Sequence, residues 1–307
     1  MKNITHLVFS GNALKSLFLC GVLRYLYCYN LDKLIHDVSA TSMGAYFALA
    51  FALKIPIEKL EEIIYKTAKD EKITKFKPID IINIIDDYGL CSSIDYLEGI
   101  RNYVKEIYKQ DDLTFLELSK KTGINIYVST TRVDNGCNVI FDVNNTPNVS
   151  VFDAIAASMC IPLVSKPVLI GDYYYIDGYL SNNFPVEIFI DNNVSKNNIL
   201  AVACNMEECS FLKLFKIDKE NKANIFQYCS NIMLLYKINT FNLCYLNKVK
   251  DFKEVLYIKS PTDKCLCSYD NETNEFNFSL TEEELNNLFL VGYKETHDYM
   301  ESYSNLI

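Results

Sequence analysis

Short apolar runs suited to strands alternate along the chain with longer runs suited to helices, and this alternation leaves few architectures open. "HLVFS" is followed by "LKSLFLCGVLRYLYCY", "LIHDVSA" by a helix-forming run from Met43 to Leu53, and "INIYVSTT" and "NILAVAC" come later. Strands separated by helix-length segments join through crossovers, which predicts an α/β fold with a mostly parallel central sheet and helices on both faces. Between the second and third strands, "IEKLEEIIYKTAKD", "SIDYLEGIRNYVKEIYK" and "LTFLELSKK" repeat apolar residues at three- and four-residue steps, so a helical layer or cap is expected there. Asn135-Gly136 inside "RVDNGCNVIFDV" is a hairpin signal. "KIDKENKAN" from Lys216 to Asn224 reads as an exposed loop. "NIFQYCSNIMLLYKINTFNLCYLNK" carries too many polar residues to span a membrane and reads as an amphipathic core helix. Half of the 307 residues are hydrophobic, enough to build one large domain over 1–307.

Charge excludes some partners. A net charge of −9 and a pI near 5.0 argue against nucleic acid and against electrostatic attachment to an anionic membrane, so contact with a lipid surface should be transient and apolar. The eleven cysteines are odd in number and irregularly spaced, and "MKNITHLVFSGNALK" lacks the apolar core of a signal peptide, which points to reduced thiols in the cytoplasm. Cys265 with Cys267 and Cys204 with Cys209 do not form two ligand pairs at zinc-finger spacing, so no metal and no cofactor is expected.

Three loops carry candidate chemistry. In "HDVSATSMGAYFALAFAL" Ser42 sits where an apolar strand turns directly into an apolar helix, and the small residues Ala40, Gly44 and Ala45 let the two backbones pass closely. A serine there is held out on a tight turn, with the positive end of a helix behind it. "FSGNALKS" lies at the first strand-to-helix junction, where backbone amides and Lys15 could hold an oxyanion. "YYYIDGYLSNNFP" contains Asp177-Gly178, which reads either as an ordinary hairpin turn or as the source of a base. The chain has three histidines: His6 and His36 at strand starts, and His297 in a C-terminal helix. A Ser42, Asp177, His297 order is open, and an aspartate acting directly on the serine is the simpler alternative.

With these loops in this order, the chain resembles the patatin-like phospholipases. In that family a Gly-Gly-x-Arg/Lys-Gly loop forms the oxyanion hole, a Gly-x-Ser-x-Gly elbow holds the nucleophile, and an Asp-Gly-Gly or Asp-Gly-Ala segment brings the base. The first corresponds here to Gly11, Asn12, Ala13, Leu14, Lys15 and Ser16, the elbow to Ala40, Thr41, Ser42, Met43 and Gly44, and the third to Asp177, Gly178 and Tyr179. The most specific stretch runs from Val151 to Pro185, with Ser158, Pro162, Asn183 and Pro185 at positions where the family has like residues. The resemblance covers residues 5–190.

It implies a three-layer α/β/α fold and a phospholipase A-type hydrolysis of phospholipids or related acyl lipids. Ser42 would be the nucleophile, Asp177 the proton acceptor, and the intermediate an acyl-enzyme, with no metal. The flanking tyrosines would bury Asp177, and burial makes a carboxylate a better base. The departures are Asn12, Ala13 and Ser16 for glycines in the oxyanion loop, Ala40 for the first glycine of the elbow, and Tyr179 for a small residue after the base. Ala13 would be strained at the positive φ a glycine tolerates. Two rival expectations use the same residues: a lipid-binding or scaffolding protein with impaired turnover, and an acyltransferase.

Overall fold

Five parallel strands form the spine of the computed structural model, which describes residues 4–76, 88–204, 255–258, 268–270, 275–277 and 279–304. They are β1 (His6–Phe9), β2 (Asp37–Thr41), β3 (Asn125–Arg132), and then β7 (Ile199–Cys204) and β8 (Val255–Ile258). Three further strands, β4 (Asn138–Phe141), β5 (Val168–Ile170) and β6 (Tyr173–Asp177), run antiparallel to their neighbours. The sheet order is β8-β7-β1-β2-β3-β6-β5, with β4 also paired to β3. The loop "KIDKENKAN" and the apolar segment 224–248 lie outside the described residues.

Strand periodicity decides which face each residue buries. Leu7, Phe9, Leu200 and Val202 point into the larger core, while Val8, Ile199, Ala201 and Ala203 point to the opposite face with Phe184, Val186 and Phe189. The larger core holds α1 (Leu19–Cys28) and α2 (Met43–Ala52); every residue of α2 from Gly44 to Ala52 is buried, as an all-apolar helix requires. The first helix expected from the sequence begins instead as a 3₁₀ stretch, Ala13–Phe18, and becomes α-helical at Leu19.

The expected helical layer is present in α3 (Ile57–Lys69), α4 (Glu98–Tyr108) and α5 (Phe115–Thr122). α3 buries Ile57, Leu60, Ile63 and Ile64 along one face. Thr114 and Glu117 form a reciprocal capping box at the start of α5. α6 (Val151–Ser158) lies against β3, and α7 (Glu282–Ser304) closes on α1 through two glycines. A Cβ at Gly21 would fall 1.9 Å from the Phe289 carbonyl oxygen, and one at Gly292 1.9 Å from that of Phe18. No described helix is long and apolar enough to cross a membrane.

Candidate active site

The register of the sheet draws the three loops together. Phe9 pairs with Ala40, so two residues further along Gly11 comes beside Ser42. Thr41 pairs with Ser129, and Thr130 with Asp177. Because β4 fills the far edge of β3 from Val128 to Thr131, β6 takes the edge that β2 vacates where it ends at Thr41. Asp177 therefore stands one position past the end of β2, where the chain turns into α2.

Ser42 adopts φ 54° and ψ −131°, a strained backbone state that costs a non-glycine residue on the order of 1–3 kcal/mol. Two buried hydrogen bonds hold it: the Ser42 amide donates to Ser158 Oγ at 2.7 Å, and Ser158 Oγ donates to the Ser129 carbonyl at 2.6 Å. Ser42 Oγ donates to Asp177 Oδ2 at 2.7 Å. The carboxylate is fixed from its other side, since Oδ1 accepts the Tyr179 amide at 2.8 Å. The Asp177 backbone is pinned by its amide to the Cys160 carbonyl and by its carbonyl to Thr131 Oγ1, both at 2.8 Å. Ser42 and Asp177 are each only 4% exposed, so their interaction is weakly screened.

Gly178 begins a 3₁₀ turn through Leu180, so of the two readings of Asp-Gly the ordinary hairpin turn is not the one adopted; the tight turn of that region is at Gly171, between β5 and β6. A Cβ on Gly178 would lie 2.1 Å from the Ser129 carbonyl oxygen, so this loop can press on β3 only with glycine. Tyr179, at the position of a small family residue, is half-buried and supplies the amide to Asp177. Burial and the charge of Asp177 both push the Cys160 thiol upward, which keeps this neighbour protonated and unreactive.

The first loop is clamped to the third. Gly11 donates its amide to Asn183 Oδ1 at 2.9 Å, and Asn183 Nδ2 donates to the Gly11 carbonyl at 3.0 Å. The Asn12 amide donates to Ser16 Oγ at 2.7 Å, and the Lys15 amide to the Asn12 carbonyl at 3.1 Å. Ala13 sits at φ 46°, the left-handed state in which a Cβ costs roughly 1–2 kcal/mol. Asn12 and Lys15 are buried. In the elbow, Ala40 keeps a negative φ, so its methyl group is accommodated. Thr41 Oγ1 and Ser129 Oγ both donate to the Asn182 carbonyl at 2.9 Å. Gly44 lets α2 start against β1, where a Cβ would lie 2.7 Å from the Phe9 carbonyl oxygen. Met43 and Leu14 flank an apolar cavity of about 40 Å³ lined also by Tyr46, Ile64, Tyr96 and Leu280.

No histidine joins this cluster. His297 lies edge-on to Tyr25 at 6.1 Å, with Asp298 at 3.2 Å, while His6 and His36 sit at the opposite end of the parallel strands. Two contributors escape a reading by motif, the Asn182 carbonyl and the Ser16 hydroxyl. The adjacent pair Asn182-Asn183 before Pro185 is the only local sign of the former; the latter shows as a hydroxyl where the family has glycine.

The Patatin-like phospholipase family matches residues 7–190. Probable lipid hydrolase 463L of Invertebrate iridescent virus 6 is 26% identical over 259 residues, 81% of this chain and 80% of that protein. Among solved structures, VipD from Legionella pneumophila superposes with a TM-score of 0.58 at 15% identity, covering 98% of this chain and 67% of its own. ExoU, solved in complex with SpcU from Pseudomonas aeruginosa, gives 0.51 at 15% identity, with 98% of this chain and 52% of the other covered. Both share the fold: a largely parallel sheet between helical layers. Matched over more than half of its length, the chain belongs to the patatin-like phospholipase family of lipid hydrolases.

Proposed function

We propose that the chain, acting as one domain over 1–307, hydrolyses acyl esters of phospholipids or related lipids in the manner of a phospholipase A, through a Ser42–Asp177 dyad. The observation that carries this reading is the 2.7 Å hydrogen bond from a buried, backbone-strained serine to a buried carboxylate fixed from its other side. Ser42 Oγ bonds to the ester carbonyl carbon as its proton moves to Asp177 Oδ2. The oxyanion is held by amides of the Gly11–Ala13 loop, by Lys15 and by the N-terminal end of α2. Collapse breaks the ester bond, and the leaving alcohol takes the proton from Asp177. Water then attacks the acyl-enzyme, passing a proton to Asp177; fatty acid leaves and Ser42 regains its proton.

The apolar cavity beside Leu14 and Met43, at about 40 Å³, has room for only a few carbons of an acyl chain, so the rest of the tail would lie outside it. Leu169 and Tyr174, paired across the hairpin that ends in Asp177, are 55% and 50% exposed and offer a transient apolar contact with a membrane surface. A panel of phospholipids and neutral acyl lipids tests the reading: wild type releases free fatty acid, and Ser42→Ala falls to background. Equal release by both proteins would contradict it, and an acylated acceptor in place of fatty acid would indicate transfer.

One observation favours a second reading, a lipid-binding protein with impaired turnover. The Gly11 and Asn12 amides already serve Asn183 and Ser16. One oxyanion donor is worth about 10²–10³ in rate, so a hydroxyl that occupies one lowers turnover. Ser16→Gly removes that acceptor and should raise kcat several-fold in the same lipid assay. An unchanged or lower kcat would remove Ser16 as the restraint.

A further inference from the structure

At the opposite end of the parallel strands from Ser42, two imidazoles and a carboxylate converge. His6 opens β1 and Asp37 opens β2, where the register pairs them directly; His36 immediately precedes β2. One ligand atom from each of the three lies within 4.8 Å of the others. We propose that His6, His36 and Asp37 form a binding site for a divalent transition-metal ion of the zinc class, held by two imidazole nitrogens and one carboxylate oxygen, with solvent in the fourth position.

One of the two spacings to Asp37 already suits such an ion, and the other is a hydrogen bond that the ion would displace. His6 Nε2 is 3.5 Å from Asp37 Oδ2, long for a hydrogen bond but close to the edge of about 3.3 Å between two ligands of a tetrahedral ion bonded at about 2.0 Å. His36 Nδ1 is 2.6 Å from the same oxygen, so it must withdraw by about 0.7 Å to become a ligand. Its ring is half exposed, which allows that movement and gives the ion a way in.

The outer contacts are those a metal site uses. Thr5 Oγ1 lies 2.7 Å from His6 Nδ1 and can accept its proton, leaving the Nε2 lone pair toward Asp37. Asp37 Oδ1 is occupied by Asn125 Nδ2 at 2.9 Å and by the Tyr127 hydroxyl at 3.3 Å, so Oδ2 alone turns to the imidazoles. Phe189 packs edge-on against His6 with ring centroids 4.6 Å apart and shields the site from one side.

The full chain, stripped with chelator and kept reduced, is titrated with Zn²⁺ against a chromophoric competitor, and separately with Co²⁺ for its absorption spectrum. Wild type should bind one equivalent at this site. His36→Ala and Asp37→Asn, both checked for native circular dichroism, should bind at least tenfold more weakly. Zn²⁺ should raise the Tm of wild type and not that of either variant. The Co²⁺ complex should show ligand-field bands without thiolate charge transfer, because the eleven cysteines are the competing donors. Absence of binding, equal binding by wild type and either folded variant, or thiolate bands from the first equivalent would overturn the assignment.

Discussion

Replacing Asp177 by asparagine should lower kcat for lipid hydrolysis by about 10⁴ while leaving the protein folded, because general-base removal at a positioned side chain costs up to that factor. The geometry explains why folding survives. Asparagine keeps an oxygen for the Tyr179 amide that Asp177 Oδ1 now accepts, and its backbone bonds to Cys160 and Thr131 are untouched. Its amide nitrogen would then donate to Ser42 Oγ, reversing the direction of the 2.7 Å hydrogen bond. The serine loses its proton acceptor and gains a donor that holds its lone pair. Steady-state kinetics alongside thermal unfolding check this: a large fall in kcat with a native-like Tm is expected, and substantial residual activity would remove Asp177 as the base.

Gly11→Ala should be the next most damaging change. The new methyl would lie 2.5 Å from Ser42 Cβ and 2.9 Å from the Thr41 carbonyl oxygen, neither of which belongs to a flexible side-chain end. The loop must move off the elbow, and as it moves it strains the two hydrogen bonds that Asn183 makes with Gly11. Displacing one donor from the oxyanion costs about 10²–10³ in kcat. Overpacking so tight a contact adds about 1–3 kcal/mol of destabilisation. The expected result is a fall in kcat that exceeds any change in KM, with a lower Tm. Wild-type kcat in this variant would mean that the loop does not serve the reaction.

Much of the sheet was legible because its parallel strands are continuous apolar runs between helical segments, and β1, β2, β3 and β7 fall where the alternation puts them. The Ser42 elbow was legible for a similar reason, since clustered small residues at a strand-to-helix corner mark a close approach of two backbones. The meeting of Ser42 with Asp177 was not, because it depends on register. It needs β4 on one edge of β3 and β6 on the other, and pairings between Ser129 and Thr41 and between Thr130 and Asp177 leave no local mark in any of the strands. The short strands β5 and β6 were hidden by an Asp-Gly that looks like a turn and is instead the end of a strand. The strain anticipated at Ala13 is present at φ 46°, whereas the engagement of the Asn12 amide by Ser16 could be found only from coordinates. The close approach of α1 and α7 rests on Gly21 and Gly292, far apart in sequence and neither part of a recognisable pattern.

The central claim is that the Ser42 hydroxyl is a nucleophile activated by the Asp177 carboxylate. Reaction with a fluorophosphonate followed by peptide mass spectrometry tests it most directly, since covalent capture needs neither a chosen lipid nor rapid turnover. Wild type should carry one adduct on the peptide containing Ser42, Asp177→Asn should label far more slowly, and Ser42→Ala should not label there. A folded wild-type protein with no adduct at Ser42, or Asp177→Asn labelling as fast as wild type, would contradict the account.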